Sequence, residues 1–527
     1  MYQILNIFRK DLRRYWREIA VSVALLVAYA WNDVKGWAGE RNVAAYGGIG
    51  GLFSYQLLSG LETVLLPVAW AFLIVRVVQG EALVGDRQFW ITRPYEWKKL
   101  LAAKVFFVVL TINLPMLIVD SVLLAKAGFP PAHYVVGLLW MQLLFLLILI
   151  LPIATLATVT ASVVQMILAV LGIVLYMIGV AALVSVIPSS GFSDPADSLQ
   201  FALLIATCVA VILWQYARRN TSGSRWLIAG LAVAIILILV TTPYNSIMNR
   251  EFPRLGAGEP IPVQLALLPA DTSQNAQISN NEKEIVIQIP LSTSGIADDS
   301  IVVLSGVLVS LEGPNGWRWN SGWESHGTSL FPDQRKTQVE FTLKKKIFER
   351  IQSDSVRARI SIALTVYRDQ NRREFVTPPG EFPIPDVGFC TTEASYLREI
   401  HCRAPLRTPS SLLITSDLSE TTCAAREGES RAANHKIARN WNHHSDSGPA
   451  EFGISPVKSL DLFPWAEDYA SSRVISGICP GTPLTISNPV LVQQSRTELE
   501  FNNLRLADYR LPPVRTEGGG FGVFITH

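Results

Sequence analysis

Few side chains in this sequence are placed for chemistry, and they fall in separate settings. His435, His443, His444 and Asp446 cluster in HKIARNWNHHSD. Imidazole and carboxylate groups ligate zinc, but this spacing matches none of the established ligand patterns, and the stretch reads as a solvated polar loop. No serine sits in a G-x-S-x-G turn, and no G-x-x-x-x-G-K-[ST] phosphate loop occurs. No catalytic or metal-ligating residue is therefore nominated, and no cofactor is expected on this chain. Four of the five cysteines, Cys390, Cys402, Cys423 and Cys479, lie in the second half, and Cys208 lies in an apolar run. An even number in an oxidising compartment predicts two disulfides, with three pairings open. Four free thiols in a reducing compartment is the alternative.

Two carboxylates stand in apolar surroundings. Asp120 lies within MLIVDSVLL, and Glu62 lies early in another apolar run, one turn before Pro67. Ionisable groups in lipid are expensive, so they are functional candidates by default. They would line a translocation path or pair across a dimer contact. The plainer alternative is that both snorkel to the outer interface or bond neighbouring hydroxyls. Asn113, Gln142 and Gln165 are their neutral companions.

The elements that must position these residues follow from composition. Half of the 527 residues are hydrophobic and 17% are charged, against about 25% charged in a soluble chain. From Gly128 to Ser193 there is no Asp, Glu, Lys or Arg. About 20 apolar residues cross a bilayer as a helix. Seven candidate spans lie near 19–37, 57–79, 104–127, 134–157, 166–187, 200–217 and 226–243. The first is the weakest, and the split between the fourth and fifth falls in ATLATVTASVVQ. Basic clusters at 9–17, 87–104 and 217–225 share one side if the N-terminus is cytoplasmic. Ile4, Leu5, Phe8, Leu12, Tyr15, Trp16 and Ile19 share one face of an N-terminal helix, and Arg9, Lys10, Arg13, Arg14 and Arg17 fill the other. Residues 1–18 thus read as an amphipathic helix lying on the lipid surface. A signal anchor, or a signal peptide ending at AYA, is the alternative. A net charge of +2 gives a nucleic-acid partner no electrostatic support.

EALVGDRQFWITRPYEWKKLLAAK, residues 81–104, separates the second and third spans. Arg93–Pro94 breaks the helix, and Phe89, Trp90 and Trp97 offer apolar anchors rimmed by charge, the pattern a protein partner grips. An interfacial loop that binds nothing is the alternative. The layout resembles the type-2 permease family of ATP-binding-cassette transporters over roughly residues 1–217. The matching features are Glu81, Gly85, Arg93–Pro94, Lys98–Lys99 and Lys104, in the order acidic start, glycine, and proline followed by basic residues. The resemblance implies a coupling segment at 81–99 that docks a separate ATPase subunit through Glu81, Gly85, Asp86, Arg87, Phe89, Trp90, Arg93, Pro94, Trp97, Lys98 and Lys99. It also implies ATP bound by that partner and a second permease in a homodimer or heterodimer. A seventh span and a long soluble segment depart from the family pattern.

Past residue 243 the character changes. Residues 244–283 read as a linker. Val356, Ala358, Ile360, Ile362, Leu364 and Val366 share one face of a strand, and further strand-like runs lie at 284–290, 301–311, 337–343 and 497–503. Short strands in succession predict a β-sandwich over 284–400, with 401–527 irregular or a second β-module. KKKIFERIQ reads as a short helix. The expected architecture is an α-helical polytopic membrane domain over 19–243 plus an extracytoplasmic β-rich domain. The expected role is exporter permease in a cell inner membrane. A membrane-anchored sensor or interaction protein without transport activity is the other reading.

Overall fold

The computed structural model describes residues 2–37, 40–80, 96–186, 194–242, 244–256, 261–269, 284–391, 400–406, 411–417, 437–443, 454–462 and 481–510. Among these, six helices are long and apolar enough to cross a membrane. They follow α1 (Tyr2–Arg14) and α2 (Trp16–Gly36). The six lie within α3 (Glu40–Gln79), α4 (Trp97–Lys126), α5 (Pro131–Val159), α6 (Val163–Val186), α7 (Asp194–Arg218) and α8 (Thr221–Thr241). α2, the weakest candidate in the sequence, is a helix of 21 residues and is not among the six. α3 runs as helix from Glu40 to Gln79, and its span-like portion includes Gly60–Gln79.

Prolines and caps set the local geometry of the bundle. α4 and α5 each contain a wide-turn π segment, Val109–Asn113 and Leu146–Ile150. Each is followed two residues later by a proline, Pro115 or Pro152. Proline removes one backbone donor and crowds the carbonyl a turn back, and the wide turn accommodates both defects without ending the helix. The α5–α6 break falls at Thr160–Ser162, inside the uncharged stretch the sequence marks. It is held by reciprocal capping bonds at capping-box spacing, shifted by one residue on the Gln165 side. The Gln165 backbone N–H donates to Ser162 Oγ at 3.3 Å, and the Gln165 side chain accepts from the Ala161 N–H at 2.8 Å.

The β-rich half contains two sandwiches. The first pairs a three-stranded sheet, β1 (Gln264–Leu267), β2 (Glu284–Ser294) and β5 (Lys336–Lys344), with a four-stranded one. The latter is ordered β15 (Val490–Arg505), β6 (Ser355–Arg368), β3 (Ser300–Glu312), β4 (Arg318–Leu330). Ile287, Ile289, Val339 and Phe341 from one sheet meet Val302, Leu304, Ile360 and Ile362 from the other in one core. The alternation anticipated in β6 holds on this face. The opposite face is also buried, at Ser361, Ala363 and Thr365. There α9 (Tyr244–Glu251) joins Met248 and the adjacent Phe252 to Trp323 and Ala363. α10 (Lys345–Ile351) is the short helix expected from KKKIFERIQ.

The second sandwich is inserted into the first. One of its sheets contains β7 (Arg373–Val376), β11 (Ser411–Asp417), β12 (Ile437–His443) and β14 (Pro483–Ser487). The other contains β8 (Glu381–Ile384), β9 (Gly388–Thr391), β10 (Ile400–Pro405) and β13 (Val457–Leu462). The expected division near residue 400 is therefore replaced by junctions after β6 and before β15. β15 pairs along β6 from Val490↔Arg368 to Arg505↔Ser355, which returns the chain to the first sandwich. The expected linker at 244–283 likewise contains α9 and β1; residues 270–283 lie outside the described residues.

Candidate functional site

The bundle has two ends with different chemistry. At the end where α3 stops and α4 starts, α1 is clamped to α4. Ile7, Asp11 and Tyr15 are buried at spacings of four residues, so they form one stripe. Asp11 Oδ2 accepts from Lys104 Nζ at 2.7 Å, with side chains only 2% and 5% exposed. Phe8 packs edge-on against Phe106 and Phe107 beside this pair. Tyr15 donates its hydroxyl to the Arg76 carbonyl at 2.9 Å, and Arg76 lies 3.9 Å from Glu18. Gly80 is required here, because a Cβ on it would stand 2.2 Å from the Tyr15 hydroxyl. Gln79 Nε2 donates to the Thr160 carbonyl at 3.2 Å and to its hydroxyl at 3.0 Å. Arg225 donates to the Val159 carbonyl. The ends of α3, α5 and α8 are thus tied together.

The apolar face anticipated for α1 splits in two. Ile4, Phe8 and Tyr15 pack into the helical core, Tyr15 at the end of α3, while Leu5, Leu12 and Trp16 stay exposed with Tyr2. Asn6, Arg9, Lys10, Arg13 and Arg14 line a third, polar face.

Residues 81–99, expected to dock a partner, connect α3 to α4 in the chain at this same end. Glu81, Gly85, Asp86, Arg87, Phe89, Trp90, Arg93 and Pro94 lie outside the described residues. The last part is described. Glu96 precedes the first turn of α4, and Trp97, Lys98 and Lys99 open the helix. Lys99 Nζ donates to Glu96 Oε1 at 2.8 Å, and this bond holds the exposed Glu96 carboxyl below its ordinary pKa. The Lys98 ammonium lies 5.7 Å from the Trp97 ring centre, within cation–π reach.

At the other end, near Trp37 and Lys126, the second sandwich sits on the helices. Trp37, Leu123, Leu124, Ala127, Phe129 and Leu138 form one core with Val457 of β13. Phe129 and Phe389 rings lie 5.3 Å apart, and His401 Nε2 lies 3.1 Å from the Trp37 carbonyl oxygen. Gly128 has φ +92°, and a Cβ there would be 2.9 Å from the Phe389 ring. Ser455 donates to Asp33 Oδ2 at 2.8 Å. Both intramembrane candidates are near this end. Glu62 accepts from Asn32 Nδ2 at 2.7 Å, and Asp120 accepts from Gln142 Nε2 at 3.0 Å. Asn113 completes the chain by donating to Gln142 Oε1 at 3.1 Å. Both bond neighbours on other helices, but through carboxamides and not through the expected hydroxyls; Gln165 instead caps α6.

Cys390 and Cys402 form a disulfide between register partners on β9 and β10. Cys423 and Cys479 lie outside the described residues, as do His435, His444 and Asp446. No group of three or more His, Cys, Asp or Glu residues suited to a metal ion occurs among the described residues. Sequence reasoning missed Asp11, Asn32, Asp33 and Ser455. Asp11 was legible as the one acid in RKDLRR, four residues from both Ile7 and Tyr15.

No family model matches the chain, and no curated protein matches it.

Proposed function

We propose that this chain is the membrane permease subunit of an ATP-binding-cassette exporter of the type-2 kind. In this reading α2 joins the six long apolar helices as a seventh span. The N-terminus and residues 81–99 are cytoplasmic, and both sandwiches are outside the cytoplasm, in a bacterial-type inner membrane. A separate ATPase subunit binds ATP and docks on 81–99, and a second permease completes the assembly. Closure of the ATPase presses on the start of α4. Because Lys104 is buried against Asp11, that push moves α1 and α4 as one body.

The observation that carries the reading is the separation of the two ends. α4 has 30 residues and is about 45 Å long at 1.5 Å per residue. The coupling segment leaves one of its ends, and the second sandwich sits on the other. A membrane-anchored sensor is the second reading, favoured by the direct seating of Ser455 on Asp33. Purification in mild detergent separates the two. The permease reading expects a nucleotide-hydrolysing polypeptide in stoichiometric amount, lost when Trp97 and Lys98 are replaced by alanine. Recovery of the chain without such a partner, under conditions that keep membrane complexes intact, overturns it.

A further inference from the structure

α1 presents three faces, and packing in the bundle accounts for only one of them. Ile7, Asp11 and Tyr15 are buried. Arg9 and Arg13 form one row on the exposed side, and Lys10 and Arg14 form a second, each at a spacing of four residues. With Asn6 these side chains line an open cleft of about 650 Å³. Leu5, Leu12 and Trp16, also exposed, run alongside the Arg9 row. The cations outnumber their counter-charges. Lys10 Nζ lies 3.9 Å from Asp11, but Lys104 already matches that carboxylate at 2.7 Å. Arg14 leans over the Tyr15 ring, 5.4 Å from its centre. Among the described residues, no carboxylate lies within ion-pair distance of Arg9, Arg13 or Arg14.

α4 fixes the depth of this face in a bilayer. Lys104 is followed by residues 105–125, whose only charged member is the buried Asp120. That stretch is about 31 Å long at 1.5 Å per residue, close to the thickness of a hydrocarbon core, about 30 Å. The Asp11–Lys104 pair therefore marks the edge of the lipid core. α1 crosses α4 at that level, with Phe8 on Phe106 and Phe107 and Asp11 on Lys104. The cation rows thus stand at the depth of lipid phosphates, and Leu5, Leu12 and Trp16 at the depth of the first acyl carbons.

We propose that this face of α1 is a binding site for an anionic phospholipid of the leaflet at the Gln79 end. The headgroup phosphate sits in the cleft, where the planar guanidinium groups chelate its oxygens in pairs. The Asn6 amide nitrogen donates to the same headgroup. The acyl chains lie against Leu5, Leu12 and Trp16. A soluble anion would match the cations but leave that apolar strip uncovered. An acidic protein segment would have to be submerged in the headgroup layer to reach them. The site stands apart from the permease reading and needs neither an ATPase nor a given sidedness. Because Asp11 and Lys104 join α1 to α4, a lipid held here restrains α4 as well.

The test titrates phosphatidylglycerol and phosphatidylcholine, matched in acyl chains, onto the full chain in mild detergent and counts bound lipid by native mass spectrometry. Each cation beside anionic headgroups is worth about a fivefold change in affinity. Phosphatidylglycerol is therefore expected to bind at least about 25-fold tighter than phosphatidylcholine, and Arg9→Gln/Arg13→Gln to lower that ratio by about 25-fold. Both side chains are exposed, so the variant keeps the fold. Lys345→Gln/Lys346→Gln, an equal loss of exposed charge on α10, is expected to leave the ratio unchanged. Equal affinity for the two lipids overturns the proposal, as does a ratio that Arg9→Gln/Arg13→Gln does not move. A matching loss in Lys345→Gln/Lys346→Gln also overturns it, because that marks general attraction. So does displacement of phosphatidylglycerol by inorganic phosphate or polyglutamate at equal charge, which makes the occupant a soluble anion or an acidic peptide.

Discussion

The two ends of the helical bundle bury charge in opposite ways. At the Gln79 end, Asp11 and Lys104 bury one negative and one positive group in direct contact. At the Trp37 end, Glu62, Asp120 and Asp33 are held by an amide, an amide and a hydroxyl. The first arrangement is closed: each charge has its counterpart, and removing either leaves the other stranded. The second is open: each carboxylate is held by a neutral donor, and the cation that acts on Asp33, Lys458, comes from the docked sandwich. The difference teaches that an ion pair inside such a bundle joins two helices by charge, whereas a carboxylate on a neutral donor is positioned by hydrogen bonding.

The sharpest way to break the comparison is to strand one charge of the closed pair. Lys104→Met should destabilise the α1–α4 packing by about 3–5 kcal/mol, because Asp11 stays buried without its partner. Adding Asp11→Leu should recover most of that loss. Thermal unfolding in detergent and release of α1 by limited proteolysis would both report it. Equal losses in the single and double variants would show that the pair does not join the helices.

A covalent tie supports the open end. Cys390 and Cys402 are 12 residues apart, and a loop of about that size restrains the unfolded chain by about 3 kcal/mol. Cys390→Ser/Cys402→Ser should lower the unfolding midpoint of the second sandwich while leaving the bundle transition in place. A midpoint that does not move would mean that the docked face is held by packing alone.

The smallest effect is expected from an ion pair in water. Arg359 binds Glu500 across β6 and β15, and both side chains are solvent-exposed. The guanidinium holds the Glu500 carboxyl below its ordinary pKa of 4.5. A carboxyl lowered on folding contributes stability that is present above its unfolded pKa and is lost as pH falls through the folded value. Arg359→Gln should therefore flatten the acid limb of first-sandwich unfolding below about pH 4.5 and leave neutral stability nearly unchanged. A large change at neutral pH would contradict the distinction between buried and exposed pairs.

Much of this architecture was legible in the sequence because it rests on local periodicity. The uncharged ATLATVTASVVQ carries Ser162 and Gln165 at capping-box spacing, and the chain breaks there. VRARISIALTVYR alternates and forms β6. Long-range partnership was not legible. Nothing in 490–505 states that it pairs with 355–368, so the inserted sandwich was placed after the first instead of within it. The candidate site shows the same limit. Glu62 and Asp120 stood out by their apolar surroundings, but Asn32 and Asp33 only weakened a span. Ser455 is separated from Asp33 by more than 400 residues, and no sequence period connects them.

The late return of β15 has a consequence for biosynthesis. As the nascent chain emerges, β6 is complete well before the strand that covers its flank. Throughout that interval the flank is a bare row of backbone donors and acceptors, a template for mispairing with another chain. The inserted module must finish, or at least collapse, before 490–505 can reach home. A ribosome stalled just short of residue 490 would thus hold the most aggregation-prone form of this protein.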